Sequence, residues 1–414
     1  MTPEVRDRIE QIRHGNVPEG YTKTESGIIP NEWRVGQVGE CIEEYKVLSN
    51  DIVHIPVYSS SRKGLMPQSD YYDQREAVET NLGYKVVPPG YVTYRHMSDD
   101  DVFHFNINGT SGDILVSSEY PVFTSTGDCD LGFLIPALNS TARFRYFCKT
   151  QKLGGTRTRL YLDNLKRYGL PLPPHNEQYR IAEILTTQDK VIELKEKQLA
   201  EKQRQKKYLM QQLLTGKKRL PGFDGKWKRI KLKDLLMERK TYSPKGMEYP
   251  HVTLSTEGIY SKGERYDRDH LVKSEEKEYK ITHKGDICYN PANLKFGVIC
   301  INNFGDAIFS PIYVTFEVIG NVSSEYLSNY LMRWDFINAV RKYEEGTVFE
   351  RMAVKPEDFL KFEMLLPPYE EQAAIAEILT VADKEIDLLR QGLEQERQKK
   401  KALMQLLLTG IVRV

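Results

Sequence analysis

Five cysteines in 414 residues (Cys41, Cys129, Cys148, Cys288 and Cys300) are too few and too scattered to organise a fold. Their number is odd and no CxxC pair occurs. That argues against a disulfide framework or a thiolate zinc site, and for reduced thiols in a cytosolic protein. No apolar run approaches the roughly 18 residues that a membrane span requires. The N-terminus, Met1 to Gln11, is charged rather than signal-like. Neither sign of charge prevails: the net charge is +1, so any polyanion site must come from local basic clusters. What remains is a chain with 40% hydrophobic residues and room for two or three domains.

Catalytic signatures are missing too. No GxGxxG follows a strand and no GxxxxGK(S/T) occurs; Thr215-Gly216-Lys217-Lys218 reads as a helix end rather than a phosphate loop. Leu366-Pro367-Pro368-Tyr369 is similar to the (D/N)PPY motif of amino-methyltransferases, but Leu366 replaces the polar residue that must bind the target amine. Asn290-Pro291-Ala292-Asn293 keeps the Asn and loses the second proline. The eight histidines form no HxxxH or HExxH pair, so no metal site is indicated. The expectation is a binding protein with no catalytic centre of its own.

The chain does contain itself twice. Residues 173–216 recur as 367–410 without a gap, each position shifted by 194, with 24 of 44 pairs identical. The duplication extends outward. Trp33 and Trp227 are 194 apart, and Tyr84-Lys85, Gly90 and Tyr94 answer to Tyr279-Lys280, Gly285 and Tyr289. Gly112-Asp113 answers to Gly305-Asp306, and Gly155-Thr156 to Gly346-Thr347. This ordered series is a tandem repeat. The intervening stretches carry short apolar bursts, such as Ile114-Leu115-Val116 and Ile287-Cys288-Tyr289, separated by Gly, Pro, Asn and Asp. That is the pattern of mixed α/β domains. The expected layout is an N-terminal extension over 1–25, a first domain over 26–172 and a central helix over 173–219. A second domain over 220–366 and a C-terminal helix over 367–414 complete it.

The repeated segment has the spacing of a long helix. Pro173-Pro174 and Pro367-Pro368 stop the preceding strand, Asn176 is a candidate cap, and Gly216 and Gly410 mark the C-terminal ends. Ile375, Leu379, Ala382, Ile386, Leu389 and Leu393 follow a coiled-coil alternation. Ile181, Leu185, Ile192 and Leu199 keep that seam in the first copy, with Gln188 and Lys195 as polar intrusions. About 40 residues of helix span about 60 Å, more than one domain core requires. Only Lys217 to Asp224 link the first helix to the second domain, so the second helix meets the first by running back. The fold class expected is therefore α+β: two pseudo-twofold-related mixed α/β domains separated by a long antiparallel two-helix coiled coil. Val414 should return to the first domain, where Pro3 to Arg13 is expected as a docking helix.

The paired elements LPLPPHNEQYRIAEILTTQDKVI…LMQQLLTGKKRL and LLPPYEEQAAIAEILTVADKEI…LMQLLLTG resemble the conserved regions of type I restriction-modification specificity subunits. IIPNEWRVGQVGE and FDGKWKRIKLKDL resemble the entry to each target-recognition domain of that family. The likeness covers nearly the whole chain from about Ser26. It implies that each domain reads one half of a bipartite double-stranded DNA site. It also implies that the helices recruit two methyltransferase subunits, joined by endonuclease-translocase subunits, in a cytoplasmic defence against phage. S-adenosylmethionine and ATP with magnesium then belong to the partners, and this chain is expected to bind no cofactor. The alternatives are a coiled-coil scaffold unrelated to DNA and a stand-alone DNA-modifying enzyme.

On that reading each domain needs cations for phosphates and Arg, Asn, Gln or Lys side chains for base edges. Candidates in the first domain are Arg62, Lys63, Arg95, His96, Thr156, Arg157 and Arg159. Those in the second are Lys262, Asn290, Asn293, Lys295, Thr347 and Arg351. The Gly-Thr loops matter most, because they sit at matching positions before the helices. Tyr94 and Tyr289, as repeated positions, are expected to be scaffold rather than readers.

Overall fold

Pro173-Pro174 and Pro367-Pro368 close a strand and open a helix in both halves, leaving strands Gly169–Leu172 and Glu363–Leu366 before helices His175–Leu213 and Tyr369–Leu407. A computed structural model describes residues 2–68, 83–152, 156–244, 248–262, 278–343 and 353–414. The chain divides into two units, Met1–Lys195 with Gly392–Val414, and Glu196–Gln391. Each holds one mixed α/β domain and part of both 39-residue helices. Among the described residues no helix is long and apolar enough to cross a membrane.

The first unit contains an antiparallel four-stranded sheet in the order Asn106–Ile107, Val92–Thr93, Val122–Ser125, Ile42–Glu44. A three-stranded sheet follows the order Ile114–Ser117, Tyr84–Val87, Leu48–Ser49. The hairpin Tyr58–Ser61/Gly64–Pro67 projects beside them. Arg34–Gln37 pairs with Gly169–Leu172 and so ties the start of the domain to its end. The second unit repeats every one of these pairings, including a hairpin at Val252–Ser255/Gly258–Ser261 and the tie Lys228–Lys231 with Glu363–Leu366. Its interior has diverged. Arg239 and Asp286 form a guanidinium–carboxylate pair (2.9 Å) where the first unit stacks Tyr45 edge-on against Tyr91.

The Glu-Gln pair at each helix start, kept by the repeat, joins helix to domain. Glu177 accepts from Trp33 Nε1 (3.0 Å) and from Arg413 Nε (2.6 Å) and Nη2 (2.8 Å). Glu371 accepts from Trp227 Nε1 (3.1 Å) and from Arg219 Nε and Nη2 (2.7 Å each). Beside them, Gln178 donates to Pro173 O and accepts from the Asp130 amide, while Gln372 donates to Pro367 O and accepts from the Ser323 amide. Asp130 and Ser323 cap the next helix in their domains, so one amide side chain fixes two elements. Gly216 (φ 70°) and Gly410 (φ 71°) end the long helices in the left-handed conformation. A Cβ on Gly410 would press on Pro30 at 2.6 Å, so glycine is required there by both backbone and space.

The apolar stripe differs from a continuous seam. Ile181 and Leu185 belong to the first domain's core with Trp33, Phe133, Leu407 and Leu408; Ile375 and Leu379 belong to the second's, with Leu213 and Leu214. Ile386 and Leu393 are buried along the helices, whereas Ile192, Leu199, Ala382 and Leu389 are only half-buried. The reason is that a two-helix pair shields one narrow face, while a helix end pressed on a domain is covered from several sides. Polar contacts take over between. In the first unit Glu396 accepts from Gln188 (2.9 Å) and meets Lys195 (3.1 Å), which holds its carboxyl below the usual range. Lys400 pairs with Asp189 there, and in the second unit Lys206 pairs with Asp383 and Lys202 with Glu385. These contacts make the helices antiparallel within each unit. Asn176 is a further correction. It lies inside the first turn, because the Pro174 carbonyl already accepts from the amides of Glu177 and Gln178.

The N-terminal extension forms the expected helix, Pro3–Arg13, then a hairpin, Tyr21–Thr24/Gly27–Pro30. Arg8 donates to Ile411 O (3.0 Å) and Tyr21 to Gly410 O (2.8 Å), so the extension docks on the C-terminal tail within the first unit.

Candidate nucleic-acid interface

In the first domain the fold gathers three segments that are far apart in sequence. Met97–Ser98 pairs with Thr158–Arg159 in the register Met97↔Arg159, which sets Asp99 and Asp100 beside Thr156 and Arg157 and leaves His96 opposite Leu160, with Arg95 just before it. The hairpin turn carrying Arg62 and Lys63 reaches the same place, because Arg62 bonds to Asp100. Arg157 Nε meets Asp99 at 2.8 Å, and Thr158 bonds to Asp101. Asp101 is the one non-glycine residue at positive φ (62°) among those described, as expected of a tight bend held by its neighbours. Arg62, Lys63, Arg95, Thr156, Arg157 and Arg159 are all exposed. The arrangement is a basic surface on which two arginines, Arg62 and Arg157, are oriented by Asp100 and Asp99. Asp99, Asp100 and Asp101 were missed as site residues, although an Asp-Asp-Asp run is itself a readable signal. Asp100 stays ionised below its usual range because Arg62 bonds to it.

His96 departs from the expected surface position. It is 5% exposed, its ring lies 5.7 Å from that of Tyr161, and its Nε2 is 3.5 Å from Glu119. Burial pushes its pKa below the usual value, with Glu119 opposing. It follows the exposed Arg95 in sequence but is itself buried. Tyr94 and Tyr289 are scaffold, as expected: each is fully buried and donates to the backbone before the long helices' domains close, at Leu160 O (2.9 Å) and Val354 O (3.0 Å).

The second domain offers a different surface on the same frame. Asn290 is buried, its Oδ1 accepting from the Ala292 amide, so its side chain shapes the turn. Asn293 and Lys295 lie half-buried on that turn, and Lys295 Nζ sits 5.2 Å from the ring centre of Phe296, an exposed aromatic that sequence reasoning passed over. Lys262 is half-buried just after the hairpin. Thr347 and Arg351 lie outside the described residues, as do Gly346 and the glycines Gly154-Gly155. At the hairpin turn the charge changes sign between domains, Arg62-Lys63 in the first and Thr256-Glu257 in the second. Both turns are tied identically, with Ser61 accepting from the Lys63 amide and Ser255 from the Glu257 amide.

The profile of the type I restriction modification DNA specificity domain matches residues 104–203 and again 225–396. The chain belongs to the type I restriction-modification specificity family. Among specificity-family relatives, the MjaX type I restriction enzyme specificity subunit of Methanocaldococcus jannaschii is 25% identical over 96% of this chain and 97% of its own length. The MjaVIII specificity subunit of the same organism is 26% identical over 61% of this chain and 63% of its own. In fold, the chain matches the S subunit of the M. genitalium type I system with TM-score 0.57 at 11% identity, over 91% and 96% of the two chains. A chain solved in work on assembly and conformational transition of the type I system gives TM-score 0.53 at 15% identity, over 93% and 99%. This specificity-family chain is thus the DNA-recognition subunit of a type I restriction-modification system. The scaffold and stand-alone-enzyme alternatives find no support in these matches.

Proposed function

We propose that each domain reads one half of an asymmetric, interrupted DNA site, and that the helical pair sets the interval and docks two methyltransferase subunits. Adenine methylation or restriction is then carried out by the partners. The chain itself supplies no catalytic centre and binds no cofactor, S-adenosylmethionine and ATP with magnesium being held by the partner subunits. It works in the cytoplasm, on the nucleoid when bound to DNA. One observation carries this reading. The residues kept between the halves (Trp33/Trp227, Glu177/Glu371, Gln178/Gln372) hold helix to domain, while the hairpin turns that project from the same frame differ in charge. A constant frame with a variable surface suits two docking positions of one kind and two half-sites of different sequence.

The basic cluster of Arg62, Lys63, Arg95, Arg157 and Arg159 is the proposed contact of the first domain with a major groove and its phosphates. Asp99 and Asp100 restrict the guanidinium rotamers, favouring geometry over indiscriminate attraction. Methylation mapping in a host carrying this chain and its methyltransferase tests the proposal. Two unlike half-sites with an unread interval are expected, and a continuous site or a palindrome would contradict it.

A further inference from the structure

The internal repeat provides a control for a cleft that is open in the first unit. A cavity of about 590 Å³ there is walled by the N-terminal hairpin, the helix Ala142–Thr150 and the last turns of the second long helix. Ile12, Ile28, Met404 and Ile411 make it apolar, and Arg143, Arg397, Lys400 and Lys401 line it without a single carboxylate among the lining residues. Lys400 also reaches Asp189 outside the lining, and Arg397 has a partner of its own. Nη1 of Arg143 and Oγ of Ser26 are buried with no hydrogen-bond partner. Such groups, a charged one above all, are rarely left unmatched.

The second unit shows what fills the corresponding place. Thr141 and Arg333 are the residues before equivalent helices, and Phe144 and Phe336, three positions on, each meet an aromatic ring edge-on at 4.9 Å (Tyr168 and Phe362). By that alignment Asp335 stands where the first unit has Arg143. Arg333 Nε donates to Asp335 at 3.0 Å and Nη1 to Leu214 O at 3.1 Å, and the cavity there is about 330 Å³. The second unit supplies a carboxylate to its own arginine; the first does not.

We infer that the first-unit cleft receives an acidic, aliphatic segment of the methyltransferase partner, with a side-chain carboxylate on Arg143. The occupant's chemistry follows from the apolar walls, the unmatched Nη1 of Arg143 and the rim cation Lys401. The partner follows from the wall that the second long helix contributes, since that helix is the proposed docking surface; the inference rests on that reading. The N-terminal extension then has a task, as one side of the cleft. The two methyltransferase positions are consequently unequal.

Native mass spectrometry of the full chain titrated with its methyltransferase tests this. Thr141→Asp places a carboxylate next in sequence but one to Arg143, at the loss of the Thr141 hydroxyl's donation to Ala137 O, so Arg143→Gln and Lys401→Glu, which touch no such bond, carry the test beside it. The wild type should bind two copies. Arg143→Gln and, independently, the rim change Lys401→Glu should keep the melting temperature and weaken one of the two copies at least about tenfold, and folded Thr141→Asp should weaken the same copy. Two copies bound with unchanged affinity by these folded variants would overturn the cleft as a docking site while leaving the DNA-recognition role intact. A small aliphatic carboxylate that co-purifies with the wild type and is lost in Thr141→Asp, with methyltransferase binding unchanged, would overturn it in favour of a small ligand. Failure of the wild type to bind any methyltransferase would overturn the reading beneath it.

Discussion

Arg413 holds Glu177 through two parallel hydrogen bonds, linking the last residues of the chain to the first turn of the first long helix. Glu177 is 3% exposed and also accepts from Trp33. Removing one side of a buried ion pair strands the other, at roughly 3–5 kcal/mol for a fully buried case and about 2–4 here because Arg413 is partly exposed. Arg413→Ala should therefore destabilise the first unit by about 2–4 kcal/mol. Hydrogen exchange should show the loss around Trp33 and the first helix start, with the second unit unchanged. Arg219→Ala should produce the mirror result around Trp227 and Glu371.

The basic surface of the first domain makes a second expectation. Replacing Arg62-Lys63 by Thr-Glu gives that hairpin turn the second domain's residues on an unaltered frame, since the Ser61 tie remains. DNA affinity of the methyltransferase complex should fall, and the slope of log affinity against log salt should flatten by about 2 if both cations meet phosphates. Arg157→Ala with Arg159→Ala should weaken binding without unfolding the chain. Unchanged binding at moderate salt would remove that loop from the interface.

His96 gives a pH dependence of defined sign. Burial lowers its folded-state pKa below the usual value of 6.5, against the pull of Glu119 and with Arg159 and Lys85 adding to the shift. The unfolded chain therefore takes up the proton first as pH falls. Stability is full above about 6.5, declines through the window down to the lowered pKa and is level below it. His104, also lowered by burial, acts in the same direction. His96→Gln should shrink the stability loss measured by denaturant titration between about pH 7 and pH 5. An identical profile in the variant would mean that His96 does not titrate there.

A fourth expectation concerns the interval. A heptad inserted between Leu194 and Leu199, matched by one between Leu388 and Leu393, keeps the pairing in register and adds about 10 Å of helix. The methylated motif should keep both half-sites and lengthen its unread interval by roughly three base pairs. An unchanged interval would show that the helices do not set it.

Much of the fold was legible because the chain is its own comparison. Trp33 and Trp227, Gly216 and Gly410, and the paired prolines each recur at one offset, and each proved to be a joint between helix and domain. The helix Pro3–Arg13 was expected from its place, near where Val414 returns, and carried little signal in its own residues. Periodicity, by contrast, could not separate an apolar residue facing a helix from one facing a domain, so Ile181 and Ile375 were read as seam and serve globular cores. The acidic bend at Asp99–Asp101 was visible as a run but not as a partner of Arg62 and Arg157, because those contacts depend on strand register. His96 and Asn290 look like DNA-facing residues by type, yet both are buried, and burial of a single polar residue in a turn leaves no trace in local pattern. The contrast between Arg143 and Asp335 needed both units side by side.

Replacing residues 220–366 by a second copy of 26–172 tests the central claim most directly. The segments are equal in length, Trp33 of the graft falls where Trp227 met Glu371, and Arg219 is retained. Methylation mapping of a host carrying this variant with the methyltransferase should return a palindromic interrupted site, with the first half-site in both positions. Retention of the original asymmetric site, or of the second half-site, would contradict the assignment of one half-site to each domain.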